Sequence, residues 1–389
     1  MILIFSAYIK YEGAKKVFFA VKMKKLQPSA GAVGCILNEE RQMRGGEHMK
    51  YDYEKNMSDI FMEREKDTLS PYAFFTANTK GRDNPYTPSP MRTEFQRDRD
   101  KIIHSQSFRR LMHKTQVFLA PSGDHYRTRL THTLEVTQVA RIIARALRLN
   151  EDLVEAIALG HDLGHTPFGH AGEYALQLCY DPGFTHYKQS LRVVEKLENN
   201  GEGLNLTWEV RDGIVNHTGS SMASTLEGVI VKFADRIAYI NHDIDDACRA
   251  GVLKESDLPE DITRVLGTRH SERINTMVKS IVDTSYDQPY IAMSEEVGKA
   301  TNDLRTFLFE NVYLNPAAKG EEIKAQEMLV KLFEYYVKNP EKLPASYYKN
   351  IESEGVERCV CDFVSGMTDR YAIDTYSELF IPKVWRVRS

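Results

Sequence analysis

A helical period runs through most of this chain and limits what it can fold into. Between Leu130 and Leu149 the apolar residues Leu134, Val139, Ile142, Ile143, Ala146 and Leu149 recur at helical spacing, the pattern of a helix with one face turned inward. The stretch from Glu151 to Leu163 reads as a second helix: Asn150 is placed to cap it, Glu151 and Asp152 favour the positive end of its dipole, and Gly164 and Pro167 close it. A charged helical stretch is expected at 58–66, and further helices at 168–179, 186–199, 207–217, 224–249, 259–284, 290–312, 319–338, 342–349 and 354–374. Strand-like alternation is scarce. The best candidate is a short hairpin at 117–127 that turns at Pro121-Ser122-Gly123-Asp124. The expected class is therefore all-α, a multi-helix fold with at most that β-hairpin.

Two segments fall outside the period. Residues 67–95 are rich in Pro, Gly, Asn, Thr and Ser and read as an ordered arm crossing the surface. Residues 1–48 carry eight Lys or Arg against four Asp or Glu, in a chain whose formal net charge is -4, and their apolar patches are short and aperiodic. Within Met43-Arg44-Gly45-Gly46-Glu47-His48-Met49, Arg-Gly-Gly-Glu is what a purine-rich ribosome-binding sequence encodes when read in frame. The expectation is a translated leader with Met49 or Met57 as the start, the alternative a genuine flexible extension. Residues 49–389 are expected to form one helical domain.

Composition narrows the compartment more than the chemistry. The five cysteines (Cys35, Cys179, Cys248, Cys359 and Cys361) include no C-x-x-C pair, so reduced thiols and a cytoplasmic location are expected. No apolar run is long enough to cross a bilayer, and the opening Met1 to Phe5 lacks a basic flank, so neither a membrane partner nor a signal peptide is expected. The net charge does not announce nucleic-acid binding. Local basic clusters at Arg97–Lys101, Arg109–Lys114 and Arg141–Arg148 read most simply as solvated helix faces.

Chemistry enters where polar residues interrupt apolar lines. His132 is followed at i+4, i+7, i+11 and i+14 by Val136, Val139, Ile143 and Ala146, so its ring points inward. His161 continues the line Leu153–Ile157, Asp162 the line Val154–Ala158, and Asp235 closes the run Val229-Ile230-Val231-Lys232-Phe233-Ala234. Taken singly, an inward histidine is ordinarily a hydrogen-bonded core residue, and a buried aspartate a cap or ion-pair partner. Side by side on one inward edge, His161 and Asp162 call for a shared partner, and a cation satisfies both. Two imidazoles and two carboxylates suit one divalent ion: Mn, Fe, Co, Ni, Zn or Mg. His170 and Glu173, at i and i+3, share a helix face, so the carboxylate can orient the imidazole for proton transfer.

His132, the doublet His161-Asp162 and Asp235 resemble the H…HD…D signature of the HD-domain phosphohydrolase superfamily. The blocks Arg127-Thr128-Arg129-Leu130-Thr131-His132, His161 through Glu173 and Arg92 through Asp100 resemble its deoxyguanosine triphosphate triphosphohydrolase-like branch, over roughly residues 57–375. That resemblance implies an HD-domain fold. It also implies metal-dependent hydrolysis of a deoxynucleoside triphosphate (dNTP) to deoxynucleoside and inorganic triphosphate. It makes His132, His161, Asp162 and Asp235 metal ligands, His170 with Glu173 the proton-transfer pair, and His165 and His186 pocket residues, His165 counted with the catalytic group; read on its own, His186 is equally a surface residue at a helix N-terminus. A triphosphate carries about four negative charges and needs further cations, which the resemblance assigns to Arg129 and Arg236; Arg370 is expected to reach it from the C-terminal helices. Tyr239 and Asp243, which follow Asp235 at i+4 and i+8, would hold the sugar, with Gln116 contacting sugar or base. His217 ends a helix and is read equally as a pocket residue or a cap. Relatives of this branch are homo-oligomers, often hexamers, some activated by a dNTP bound at an interface.

Two other readings compete. One keeps the metal and changes the substrate, giving a nucleotidase or phosphodiesterase; Gly169-His170-Ala171-Gly172-Glu173 favours the triphosphohydrolase, because many simpler HD enzymes lack it. The other is a regulatory protein that binds single-stranded DNA through the basic clusters, for which salt-dependent binding is the discriminating observation.

Overall fold

A computed structural model describes residues 56–116, 127–313 and 316–383, without the side chains of 316–319. Its helices follow in the order α1 (Met57–Thr68), α2 (Glu94–Ile103), α3 (Gln106–Arg110), α4 (Arg129–Ala146), α5 (Glu151–Gly160), α6 (Gly169–Cys179), α7 (His186–Arg192), α8 (Trp208–Asn216) and α9 (Leu226–Arg249). They continue as α10 (Glu260–Leu266), α11 (His270–Ser285), α12 (Glu295–Leu308), α13 (Pro316–Lys338), α14 (Ala345–Tyr348), α15 (Ile351–Glu354), α16 (Val356–Ser365) and α17 (Asp369–Phe380). The class is all-α. Among the described residues the only β pairing is one antiparallel bridge, Thr115 to Thr128. The segment 1–48 and the hairpin expected at 117–127, Arg127 excepted, lie outside the described residues.

Helix α4 is the axis of the first core. Thr128 accepts from the Thr131 amide and starts it with a reciprocal capping box, and its inward face carries His132, Val136, Val139, Ala140, Ile143 and Ala144. It packs against α5 and α9, and α5 in turn against α2, α8 and α9. Val136, Ile143, Leu153, Ile157, Ile214, Ile230, Ile237 and Ile240 are closed to solvent there, each such side chain contributing about 1.5–3 kcal/mol. A second, separate core joins α6, α13, α16 and α17 around Leu176, Leu329, Leu332, Phe333, Val360 and Val364.

Several expected helices are broken where the chain must turn. The span 259–284 divides at Gly267, whose φ of 100° belongs to the region that favours glycine. The span 354–374 divides at Gly366–Thr368, where Thr368 caps a new helix that continues to Phe380. The span 186–199 keeps its α-helix only to Arg192 and then widens into a π turn, and the span 290–312 starts later, at Glu295 behind the Ser294 cap. The arm at 67–95 is held by Arg82, which pairs with Glu94 and Asp98 and donates to the Asn205 carbonyl at 2.7 Å.

Candidate active site

The first core delivers four candidate ligands from three helices. His132 lies one turn inside α4, His161 is the C-cap of α5 with Asp162 in the turn after it, and Asp235 stands on α9. Asn150 caps α5 as expected, accepting from the Leu153 amide at 3.2 Å, but the helix ends at Gly160, three residues short of the expected Leu163. That early end allows the chain after Asp162 to swing beneath α7. A Cβ at Gly164 would stand 2.1 Å from the Ser190 nitrogen, so only glycine fits there.

His132 Nε2 lies 3.1 Å from Asp235 Oδ1, and His161 Nε2 lies 3.6 Å from Asp162 Oδ1 and 3.9 Å from Asp235 Oδ1. Ligand atoms of His132, His161 and Asp162 all lie within 4.8 Å of one another, and Asp235 reaches the two histidines from the α9 side. His161 Nδ1 donates to the Ala158 carbonyl at 2.6 Å, which leaves Nε2 with its lone pair. Among the described residues no hydrogen-bond partner reaches that buried Nε2. An ordinary core histidine would have both nitrogens satisfied. The orphaned nitrogen, together with two carboxylates and a second imidazole, fits a divalent cation.

The carboxylates are held ionised. Burial opposes the charge of Asp235, but the His132 hydrogen bond and His161 bring its pKa down to about 2. Burial opposes Asp162 as well; His161, Arg129 and His165 hold it well below the usual carboxylate range. Arg129, itself buried, donates from Nη1 to Asp162 Oδ2 at 2.8 Å, while its Nε has no partner.

A second group stands on α6 and α7. The turn into α6 places Phe168 at φ 61° and Gly169 at φ 56°; for phenylalanine that left-handed conformation costs about 1–2 kcal/mol. His170 follows with its side chain 82% exposed and its Nδ1 3.8 Å from Glu173 Oε2. Glu173 makes its shorter contacts elsewhere, accepting from the His186 amide at 3.0 Å and lying 3.0 Å from His186 Nδ1. The carboxylate expected to serve His170 is therefore shared, and His186 is the partner it grips more closely. Burial works against Glu173, yet the nearby His170 imidazole and its own bonds to His186 keep it far below the carboxylate range. His186 is no surface residue: its ring stacks on His165 at 4.2 Å and 13°.

Both groups open onto one cavity of about 640 Å³. Its walls include Gln116, Arg129, His165, His170 and His186, and on α9 the stripe Asp235, Tyr239 and Asp243. Asp243 Oδ2 accepts from the Tyr313 hydroxyl, Oδ1 is buried without a partner, and burial pushes its pKa up to about 7. Two expected cations stand apart. Arg236 is half-buried on α9 and does not border the cavity, and Arg370 points to solvent, 88% exposed, 3.7 Å from Asp374. His217 takes the cap role, donating Nδ1 to the Ile214 carbonyl at 2.6 Å, with its ring packed behind those of His161 and His186.

Sequence reasoning missed Arg305, Phe309 and Tyr313, which also border the cavity. They recur at i, i+4 and i+8, the spacing of the α9 stripe, and that repeat was the available signal. The basic clusters are largely matched by acids: Arg99 with Asp100, Asp152 and Glu155, Arg141 and Arg145 with Glu151, Arg148 with Asp287.

Comparison with known proteins bears on the same residues. A family model described as the HD domain matches residues 129–240, and one described as a phosphohydrolase-associated domain matches residues 291–378. A deoxyguanosinetriphosphate triphosphohydrolase-like protein of Caldanaerobacter subterraneus subsp. tengcongensis is 56% identical over 327 residues, covering 84% of this chain and 96% of that protein. Proteins of the same description from Clostridium perfringens (strain 13 / Type A) and Desulfatibacillum aliphaticivorans are 52% and 50% identical, over 82% and 83% of this chain and 96% and 97% of their own lengths.

Proposed function

Since the chain belongs to the deoxyguanosinetriphosphate triphosphohydrolase-like family of HD-domain phosphohydrolases, we propose that it hydrolyses deoxynucleoside triphosphates to the deoxynucleoside and inorganic triphosphate. His132, His161, Asp162 and Asp235 would hold one divalent ion. The observation that carries this reading is the single cavity, bordered at once by ligand residues, by the histidines beside Glu173, and by the Tyr239–Asp243 stripe. Its volume suits a nucleotide-sized ligand.

A bound divalent ion supplies Lewis acidity at a phosphate oxygen and acidifies water. The chain's own groups do the rest. Arg129 offers its unpaired Nε to a phosphate oxygen. Glu173, kept ionised, favours the protonated form of His186, where burial works the other way and the carboxylate prevails. As a water oxygen bonds to the α-phosphorus and stays with the triphosphate, His170, at the cavity rim, donates a proton to the departing 5′ oxygen. Asp243 accepts the 3′-hydroxyl on its free Oδ1, and the Tyr239 ring lies against C2′, disfavouring a ribose 2′-hydroxyl.

Product analysis tests this directly. Each dNTP, singly and mixed, is incubated with Mn²⁺, Mg²⁺ or Co²⁺, and the products are resolved by ion exchange. Deoxynucleoside with intact triphosphate is expected. Release of monophosphate or pyrophosphate would move the chain to the nucleotidases or pyrophosphohydrolases, and no turnover under any combination would sink the reading.

A further inference from the structure

The corner between α16 and α17 reaches the site through buried polar groups that the proposed chemistry does not use. Thr368 caps α17 by accepting from the Tyr371 amide at 3.2 Å, and the register this sets turns Asp369 inward, 8% exposed. Asp369 Oδ2 accepts from the Thr115 amide at 2.9 Å and from the Thr115 hydroxyl at 2.5 Å; Oδ1 accepts from the Phe168 amide at 3.0 Å. One carboxylate thus bridges two segments far apart in sequence. Thr115 directly precedes Gln116, a wall of the cavity. Phe168 is the N-cap of α6, the helix that carries His170 and Glu173.

The two segments meet without slack. A Cβ at Gly169 would stand 3.3 Å from both the Gln116 carbonyl and Arg129 Nη2. Phe168 holds its left-handed conformation without a side-chain cap, and its amide is spent on Asp369. Buried Lys114 ties the same corner a second time, donating to the carbonyls of His165 and Ser365. Hydrogen bonds to a charged acceptor are the stronger kind, and a carboxylate accepts on both oxygens where an amide accepts on one.

We propose that Asp369 is a positioning residue: its carboxylate clamps the Thr115–Gln116 segment to the Phe168–Gly169 turn and fixes where α6 presents His170 and Glu173. The catalytic part of this inference rests on the proposed function. Asp369 borders neither the cavity nor the ligand group, so its loss disturbs the acid–base residues and spares the metal.

The test compares Asp369→Ala and the isosteric Asp369→Asn with the native protein. Three quantities are read: hydrolysis of each dNTP with Mn²⁺, calorimetric Mn²⁺ affinity, and hydrogen exchange over segments 165–176 and 151–163. For Asp369→Ala, kcat is expected to fall about 10²-fold, the order that a small misplacement of catalytic groups produces. KM should change less than about threefold, with Mn²⁺ affinity unchanged and faster exchange over 165–176 only. Asp369→Asn, which keeps one acceptor and sets an NH₂ group against the other donor, is expected to fall between. Unchanged kcat in both variants, or Mn²⁺ affinity falling in step with kcat, would overturn the clamp. If the native protein hydrolyses no dNTP, the functional reading fails separately. Exchange then decides the clamp: loosening confined to 165–176 upholds it and unchanged exchange overturns it.

Discussion

His161 and His170 stand at the ends of consecutive helices, yet the protein holds them in opposite ways. His161 is closed to solvent, tied to the Ala158 carbonyl and surrounded by the core that α4, α5 and α9 share. His170 is largely exposed, and its helix leans on the other core, which the C-terminal helices complete. The half proposed to hold the ion is thus built on one core, whose close packing fixes the helices that carry it. The half proposed for acid–base work is assembled at the margin of another, which leaves His170 open to the cavity. An error in the first core is expected to remove the ion; an error in the second is expected to leave the ion and slow the chemistry.

The largest effect that would separate the halves is Asp162→Ala. It removes one of the proposed ligands and strips buried Arg129 of its partner. Turnover and metal retention are expected to vanish together while far-UV circular dichroism stays helical; a variant still active without metal would break the division. His170→Ala comes next: metal content by mass spectrometry unchanged, rate lowered by about 10²–10⁴. An unaltered rate would strike His170 from the reaction. Leu329→Ala opens a hole in the second core, at a residue with no solvent exposure. Unfolding free energy in denaturant is expected to drop by about 2–5 kcal/mol, with Mn²⁺ affinity in the folded protein unmoved. The smallest effect is reserved for Arg370→Ala. Its side chain is in water, so kcat/KM is expected to change by less than about twofold, and a larger loss would show that the C-terminal helix reaches the substrate after all.

These residues were legible to different depths. The ligand group could be read because buried polar residues on apolar helical lines are costly, and His161 beside Asp162 doubles the anomaly. Helix breaks were harder. Glycine is tolerated inside helices, so Gly267 gave no warning that its φ would be positive. The C-terminal corner shows how one such miss propagates. Reading 354–374 as a single helix left the register of Asp369 and Arg370 unset, and the arginine's charge made it the natural candidate. Once Thr368 restarts the helix, the aspartate faces inward and the arginine outward. Arg305, Phe309 and Tyr313 were out of reach for another reason. Their i, i+4, i+8 repeat marks a shared face, but only tertiary packing sets that face against the cavity.

The bond from His161 to the Ala158 carbonyl has a further consequence. It selects the ring tautomer and aims Nε2 before any ion arrives, so capture of the ion spends little entropy on ordering the protein. Small zinc-folded domains behave in the opposite way, with the metal doing the folding. Here a chelator is expected to take the ion and leave the circular dichroism untouched. A receptor so pre-formed can be emptied and refilled at low cost, and its occupant can follow whichever divalent ion the surroundings supply while the protein keeps its shape.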